Sequence, residues 1–164
     1  MAMPDALYVP DRDLSRAELI EELAAMPARL RAIVAPADAA ALTRRAEGEW
    51  SALETLRHFR DIAQVYGVRF KWMSLDDDPF LPNYDEDRWV ADSPDGPADA
   101  PALLDEIAAW RAETVRLLRA LPPEGWARTG RHEVFGRVEL EHYVRHEYAH
   151  EEQHLAQIGA ALAV

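Results

Sequence analysis

Residues 139–158 of the chain read ELEHYVRHEYAHEEQHLAQI. Histidine recurs there every four residues, at His142, His146, His150 and His154, out of six in the whole chain. A spacing of four stacks successive side chains on one helix. Neutral imidazole is the commonest protein metal ligand, so a helical i, i+4 pair is a natural two-point grip for a transition metal. Not all four can share one site. Each step of four overshoots a full turn by about 40°, which leaves His142 roughly 120° around the helix from His154. Leu140, Tyr143, Val144, Leu155, Ile158 and Leu162 mark the buried face. On this wheel His154 and His150 sit on its shoulder, His146 lies further toward solvent and His142 further still. Glu147 and Glu151 fall on the buried side, which is costly for carboxylates without partners.

The chain upstream supplies partners for such a helix. Ser15 and Glu18 have capping-box spacing and open a first helix that runs to about Val34. Pro27 inside it should kink it or end its first half. The stretch to Gly48 is a loop or a short helical turn. Ser51 and Glu54 form a second capping box, and a second helix runs to about Ser74 with Trp50 placed as a staple. Its inward stripe is Thr55, His58, Ile62, Val65, Tyr66 and Arg69. A third helix runs from about Asp99 to Leu121, with Pro101 in its first turn. The fourth begins near Val138 and carries the histidine ladder. Four amphipathic helices point to an all-α four-helix bundle. No alternating strand pattern of useful length is present. Residues 76–98 form a long connection between helices two and three, where Tyr84 and Trp89 are placed to cover a pocket. His132, in the loop before the last helix, is expected to be solvated.

Composition narrows the classes. At 164 residues and 49% apolar, the chain is expected to be one domain, 1–164, with residues 1–12 as a loose N-terminal arm. There is no cysteine, which removes disulfides and thiolate metal sites. A net charge of −12 argues against nucleic acid and acidic membranes as partners. No apolar run is long enough to span a bilayer, and the N-terminus lacks a signal-peptide pattern, so a cytoplasmic protein is expected.

His58 on one inward stripe and the His150/His154 pair on another could converge if their helices are neighbours, leaving a further position open on a bound metal. Two rivals use the same residues. H-E-x-x-H occurs twice, at 146–150 and 150–154, but no strand is evident to align a peptide as in zinc proteases. E-x-x-H also occurs twice, but on one helix where a di-iron site needs two. Glu147 and Glu151 could orient ligating imidazoles, act as a general base, or pair with a buried arginine such as Arg69; the structural reading is preferred. Asp61, one turn after His58, is a candidate partner for it.

At these residues the chain resembles the DinB/YfiT-like superfamily of metal-dependent four-helix proteins, over most of its length. The resemblance rests on Trp50-Ser51-Ala52 with Leu56-Arg57-His58-Phe59-Arg60-Asp61, on 84–89 (YDEDRW), on 135–140 (FGRVEL), and above all on 150–158 (HEEQHLAQI). It implies an up-down-down-up bundle and a divalent metal, usually nickel or zinc, held by His58, His150 and His154. It also implies a homodimer, and in some relatives a transferase or isomerase that uses a low-molecular-weight thiol. The leading expectation is a metal-dependent hydrolase or thiol-dependent transferase acting on a small molecule, with Glu147 and Glu151 as candidate catalytic carboxylates. The competing one is a non-catalytic stress or interaction protein with a structural metal. A third is a metal-free, pH-sensitive histidine surface.

Overall fold

The computed structural model describes residues 13–163; the expected N-terminal arm, 1–12, lies outside them. Four long helices make the body: α1 (Arg16–Val34), α3 (Ala52–Leu75), α5 (Ala100–Ala120) and α6 (Leu140–Leu162), with short helices α2 (Ala39–Thr43) and α4 (Glu86–Asp92) between them. Both predicted capping boxes form. Ser15 Oγ accepts from the Glu18 amide while the Glu18 carboxylate accepts from Ser15, and Ser51 and Glu54 repeat the pattern. Each satisfies amides that a helix start otherwise leaves unpaired. Pro27 does not end α1, which continues through it to Val34. The flanking Leu23, Met26 and Leu30 are buried, so packing on both sides of the proline holds the helix against its local cost.

The four long helices form a four-helix bundle. α1 packs on α5 and α6, and α3 packs on the same two. Leu19, Leu23 and Leu30 of α1, Leu56, Phe59 and Ile62 of α3, Leu103 and Ile107 of α5, and Val144 and Ile158 of α6 fill the shared core. Side-chain contacts give the registers. Arg16 binds Glu141 near the start of both α1 and α6, and Arg29 binds Glu152 further along both. Arg31 meets Asp105, while Arg119 meets Glu21.

The long connection after α3 carries β1 (Phe80–Leu81), α4 and a 3-10 turn at Pro97–Asp99. One expectation is corrected here: the protein contains strands. β2 (Thr129–His132) pairs antiparallel with β3 (Gly136–Glu139) and parallel with β1. At two to four residues each, these strands are too short for alternation to show in the sequence. Gly136, at φ +71°, makes the turn of the hairpin. Gly130 lets β2 approach α3, since a Cβ there would lie 3.0 Å from Leu81 Cδ1 and 3.1 Å from Met73 Cγ. The last helix consequently begins at Leu140, with the residues from 136 to 139 in β3.

Candidate metal centre

His58 lies at the end of the second turn of α3, whose inward face is set by Leu56, Phe59 and Ile62. His150 and His154 lie one turn apart on α6, which packs against α3. The three imidazoles are buried, and each offers one nitrogen such that all lie within 4.8 Å of one another. Ring centroids are 4.5 Å apart for His58 and His154, 4.6 Å for His150 and His154, and 5.4 Å for His58 and His150. Trp50, the residue before the α3 N-cap, closes one side, with its ring 5.1 Å from His58 and 6.1 Å from His154.

Hydrogen bonding orients part of this group. Gln157 Oε1 lies 2.8 Å from His154 Nδ1. An amide oxygen can only accept, so Nδ1 of His154 carries the proton and its Nε2 lone pair faces the cluster. That Nε2 is 2.9 Å from Nε2 of His150. Both nitrogens of His58 and Nδ1 of His150 are buried with no hydrogen-bond partner in the protein. Burial, reinforced by His154 and His150, holds His58 well below the ordinary histidine pKa. Burial with His154 and His146 does the same for His150, and in His154 burial outweighs the opposing Gln157 contact. Neutral imidazoles with converging lone pairs and orphaned buried nitrogens are the donor set a divalent cation requires. The residues fit a metal.

Glu86 of α4 is the carboxylate beside this cluster. Its Oε2 lies 3.7 Å from His58 Nε2 and makes no hydrogen bond, although the side chain is only 6% exposed. Burial, helped by Asp87 and Asp85 and opposed by Arg69, raises its pKa to about 7. In the sequence Glu86 sits in an acidic run at a helix start, where acids are expected on dipole grounds alone. Asp61, a candidate partner of His58 or else a solvated acid from its spacing, is buried and pairs with Arg60 at 2.9 Å.

Glu147 and Glu151 are fully buried and bind Arg111 of α5, with Glu147 Oε1 at 3.0 Å from Nη2. Burial raises the pKa of both, against the pull of Arg111. The buried arginine suggested for them, Arg69, is elsewhere. It donates to Tyr143 Oη at 2.7 Å and to the Pro82 carbonyl. Nothing in the local sequence marks Arg111, which lies between Ala108 and Val115 on an ordinary amphipathic helix.

Two histidines are placed differently from expectation. His146 is 2% exposed, enclosed by the rings of Tyr66, Phe135, Tyr143 and His150. His132 is also buried; its Nδ1 accepts from the amides of Val134 and Phe135 at 3.2 and 3.3 Å. Both corrections have one cause. The β2–β3 hairpin folds over the shoulder of α6 that a helical wheel leaves to solvent. His142 remains exposed.

A bundle that brings three buried imidazoles together from two of its helices defines a histidine-centred four-helix protein. The chain belongs to the DinB superfamily, whose sequence model matches residues 6–158. Its structure is similar to that of YfiT from Bacillus subtilis, with a TM-score of 0.85 and 24% identity over 94% of this chain and 91% of that one. YfiT is described as a probable metal-dependent hydrolase with an unusual four-helix bundle topology; at this identity the likeness carries the fold. No curated protein matches the chain.

Proposed function

We propose that this protein is a metal-dependent enzyme of the DinB superfamily that acts on a small molecule, with His58, His150 and His154 as ligands of a divalent cation. The observation that carries the reading is the set of three buried imidazole nitrogens within 4.8 Å, with both nitrogens of His58 otherwise unpartnered. Nickel and zinc suit an all-imidazole donor set. Such a cation lowers the pKa of a water or thiol that reaches it, which serves both hydrolysis and thiol transfer. With no cysteine in the chain, the thiol of a transfer reaction comes from a low-molecular-weight compound. The description of YfiT favours hydrolysis.

The chain's own residues supply the rest. His154 is held in register by Gln157, and Trp50 keeps water from one side of the cluster. Glu86, with a pKa near neutrality and a free Oε2, holds or accepts a proton next to His58. Glu147 and Glu151, the candidate catalytic carboxylates, are in this reading the counter-charges of Arg111 in the core. The helix contacts support an up-down-down-up order. α1 and α6 run together, and the 76–99 connection returns the chain to the end where α3 began, with its 3-10 turn against α2. The same reading includes a single 1–164 domain, a homodimer and a cytoplasmic location. No described helix is long and apolar enough to cross a membrane.

Elemental mass spectrometry on tag-free protein, beside His150→Ala and His154→Ala, tests the assignment. About one divalent ion per chain, lost in both variants, is expected for a three-imidazole site. A native protein that holds no metal and takes up neither nickel nor zinc on dialysis overturns it. His58→Ala then separates the two uses of a metal: a structural ion takes the fold with it when lost, whereas a catalytic one leaves the bundle folded.

A further inference from the structure

The second buried arginine of the bundle, Arg69, lacks what Arg111 has. Arg111 meets two carboxylates. Arg69 is 3% exposed, yet its hydrogen bonds go to a phenol and a backbone carbonyl, neither formally charged. The faces of Tyr66 and Tyr84, 5.7 and 5.8 Å from its guanidinium carbon, soften the deficit without neutralising it. Among the described residues no carboxylate stands in ion-pair contact with Arg69. A buried cation without an anion is costly, and a protein that keeps one usually has a use for the charge.

Arg69 lines a cavity of about 380 Å³ between α3, α5 and the segment 82–89. Three tryptophans face it: Trp72, Trp89 and Trp110. Trp72 and Trp89 are 40% and 44% exposed, unusual for large aromatic side chains. Asn83 and Tyr84 also line it, and Asn83 Oδ1 and Tyr84 Oη are both buried without a hydrogen-bond partner. The Asn83 amide and the Tyr84 hydroxyl can both donate. The cavity thus combines aromatic walls, one buried cation with no ion-pair partner among the described residues, and unused polar groups, the composition of a small-ligand site. None of its lining residues is a histidine, so it is a different site from the metal centre.

We propose that this cavity binds a small aromatic carboxylate, its ring among the tryptophans and its carboxylate on Arg69. One guanidinium matches one carboxylate in a two-pronged pair. A net charge of −12 works against polyanions such as nucleotides at long range, and favours a monoanion with a large apolar body. The site is independent of whether the histidines hold a metal.

Calorimetric titration of the full chain with phenylacetate and with its neutral isostere phenylacetamide tests the site. Phenylacetate is expected to bind saturably and at least about tenfold more tightly than the amide, the scale of one charge-assisted contact. Trp89→Ala, an exposed position, weakens both ligands by roughly tenfold through the lost ring contact. Arg69→Met removes the preference for the acid; if that variant unfolds, the acid–amide comparison and Trp89→Ala decide on their own. Absence of saturable binding by phenylacetate and indole-3-acetate, equal affinity for acid and amide, or indifference to Trp89→Ala each overturns the proposal.

Discussion

A single amide, Gln157, decides how His154 can be used. By accepting a hydrogen bond from Nδ1–H it leaves Nε2 as the only lone pair the ring can present to the cluster. Gln157→Ala frees the ring and its tautomer without touching the core, because residue 157 is only half-buried. Metal affinity, measured by competition with a chromophoric chelator, is expected to fall about 10- to 100-fold, the usual cost of losing a residue that orients a ligand. The melting temperature of the metal-free protein should barely move. Equal affinities would separate Gln157 from the site. The same scale shows what spacing can and cannot reveal. His150 and His154 were legible as a pair because four residues return almost to the same helix face. Glu86 was not, because its proximity to His58 is made by a connection that folds back over α3.

Helices α5 and α6 lie diagonally across the bundle and meet through a buried charge cluster. Arg111 holds two glutamates that lie one turn apart on α6, and all three side chains are at most 2% exposed. Arg111→Met leaves two carboxylates in the core with no counter-charge. Urea denaturation is expected to show a loss of about 3–5 kcal/mol, as for breaking a buried ion pair from one side. Adding Glu147→Gln and Glu151→Gln to that variant should restore much of the loss, since the uncompensated charge is gone. A triple variant no more stable than Arg111→Met would show that the cluster acts by shape and not by charge. Two carboxylates on the buried face of α6 announced a cationic partner in advance. Which arginine answered depended on α5 facing α6 across the core at that level, and that is a fact of packing.

Across the whole molecule, buried neutral histidines make stability depend on pH. Burial, with Arg69 and His146, lowers His132 to about 4. The unfolded chain protonates the same ring near pH 6.5, so between about 6.5 and 4 it binds a proton that the folded protein does not. Stability from this residue is complete above that window and is lost as pH falls through it. His58, His150 and His154 act in the same direction. Glu86, raised to about 7, acts in the opposite one: its contribution is present at low pH and lost as pH rises toward 7. His132→Asn keeps a side-chain acceptor for the Val134 and Phe135 amides and removes the titration. The slope of unfolding free energy against pH between about 4.5 and 6 should then be shallower by about one proton's worth, roughly 1.4 kcal/mol per pH unit. An unchanged slope would mean that His132 titrates alike in both states.

The sequence by itself determined the long helices, their caps and the pairing of His150 with His154, because these depend on short-range geometry; that His58 meets this pair was decided by α3 packing on α6. A capping box spans three residues and an apolar stripe repeats within a turn, so both can be read along the chain. Family resemblance supplied the membership that the matched sequence model shows. Tertiary structure alone decided the burial of His132 and His146, the pairing of Glu147 and Glu151 with Arg111, the approach of Glu86 to His58, and the isolation of Arg69 beside three tryptophans. Each of these is settled by where a hairpin, a short helix or a neighbouring bundle helix comes to rest. Strands of two to four residues carry no period of their own. They are held by their pairing with one another and by the burial of Leu81, Gly130 and Val138, with Gly130 against Leu81 and against Met73 of α3, and contacts between residues so far apart in sequence leave no local pattern to read.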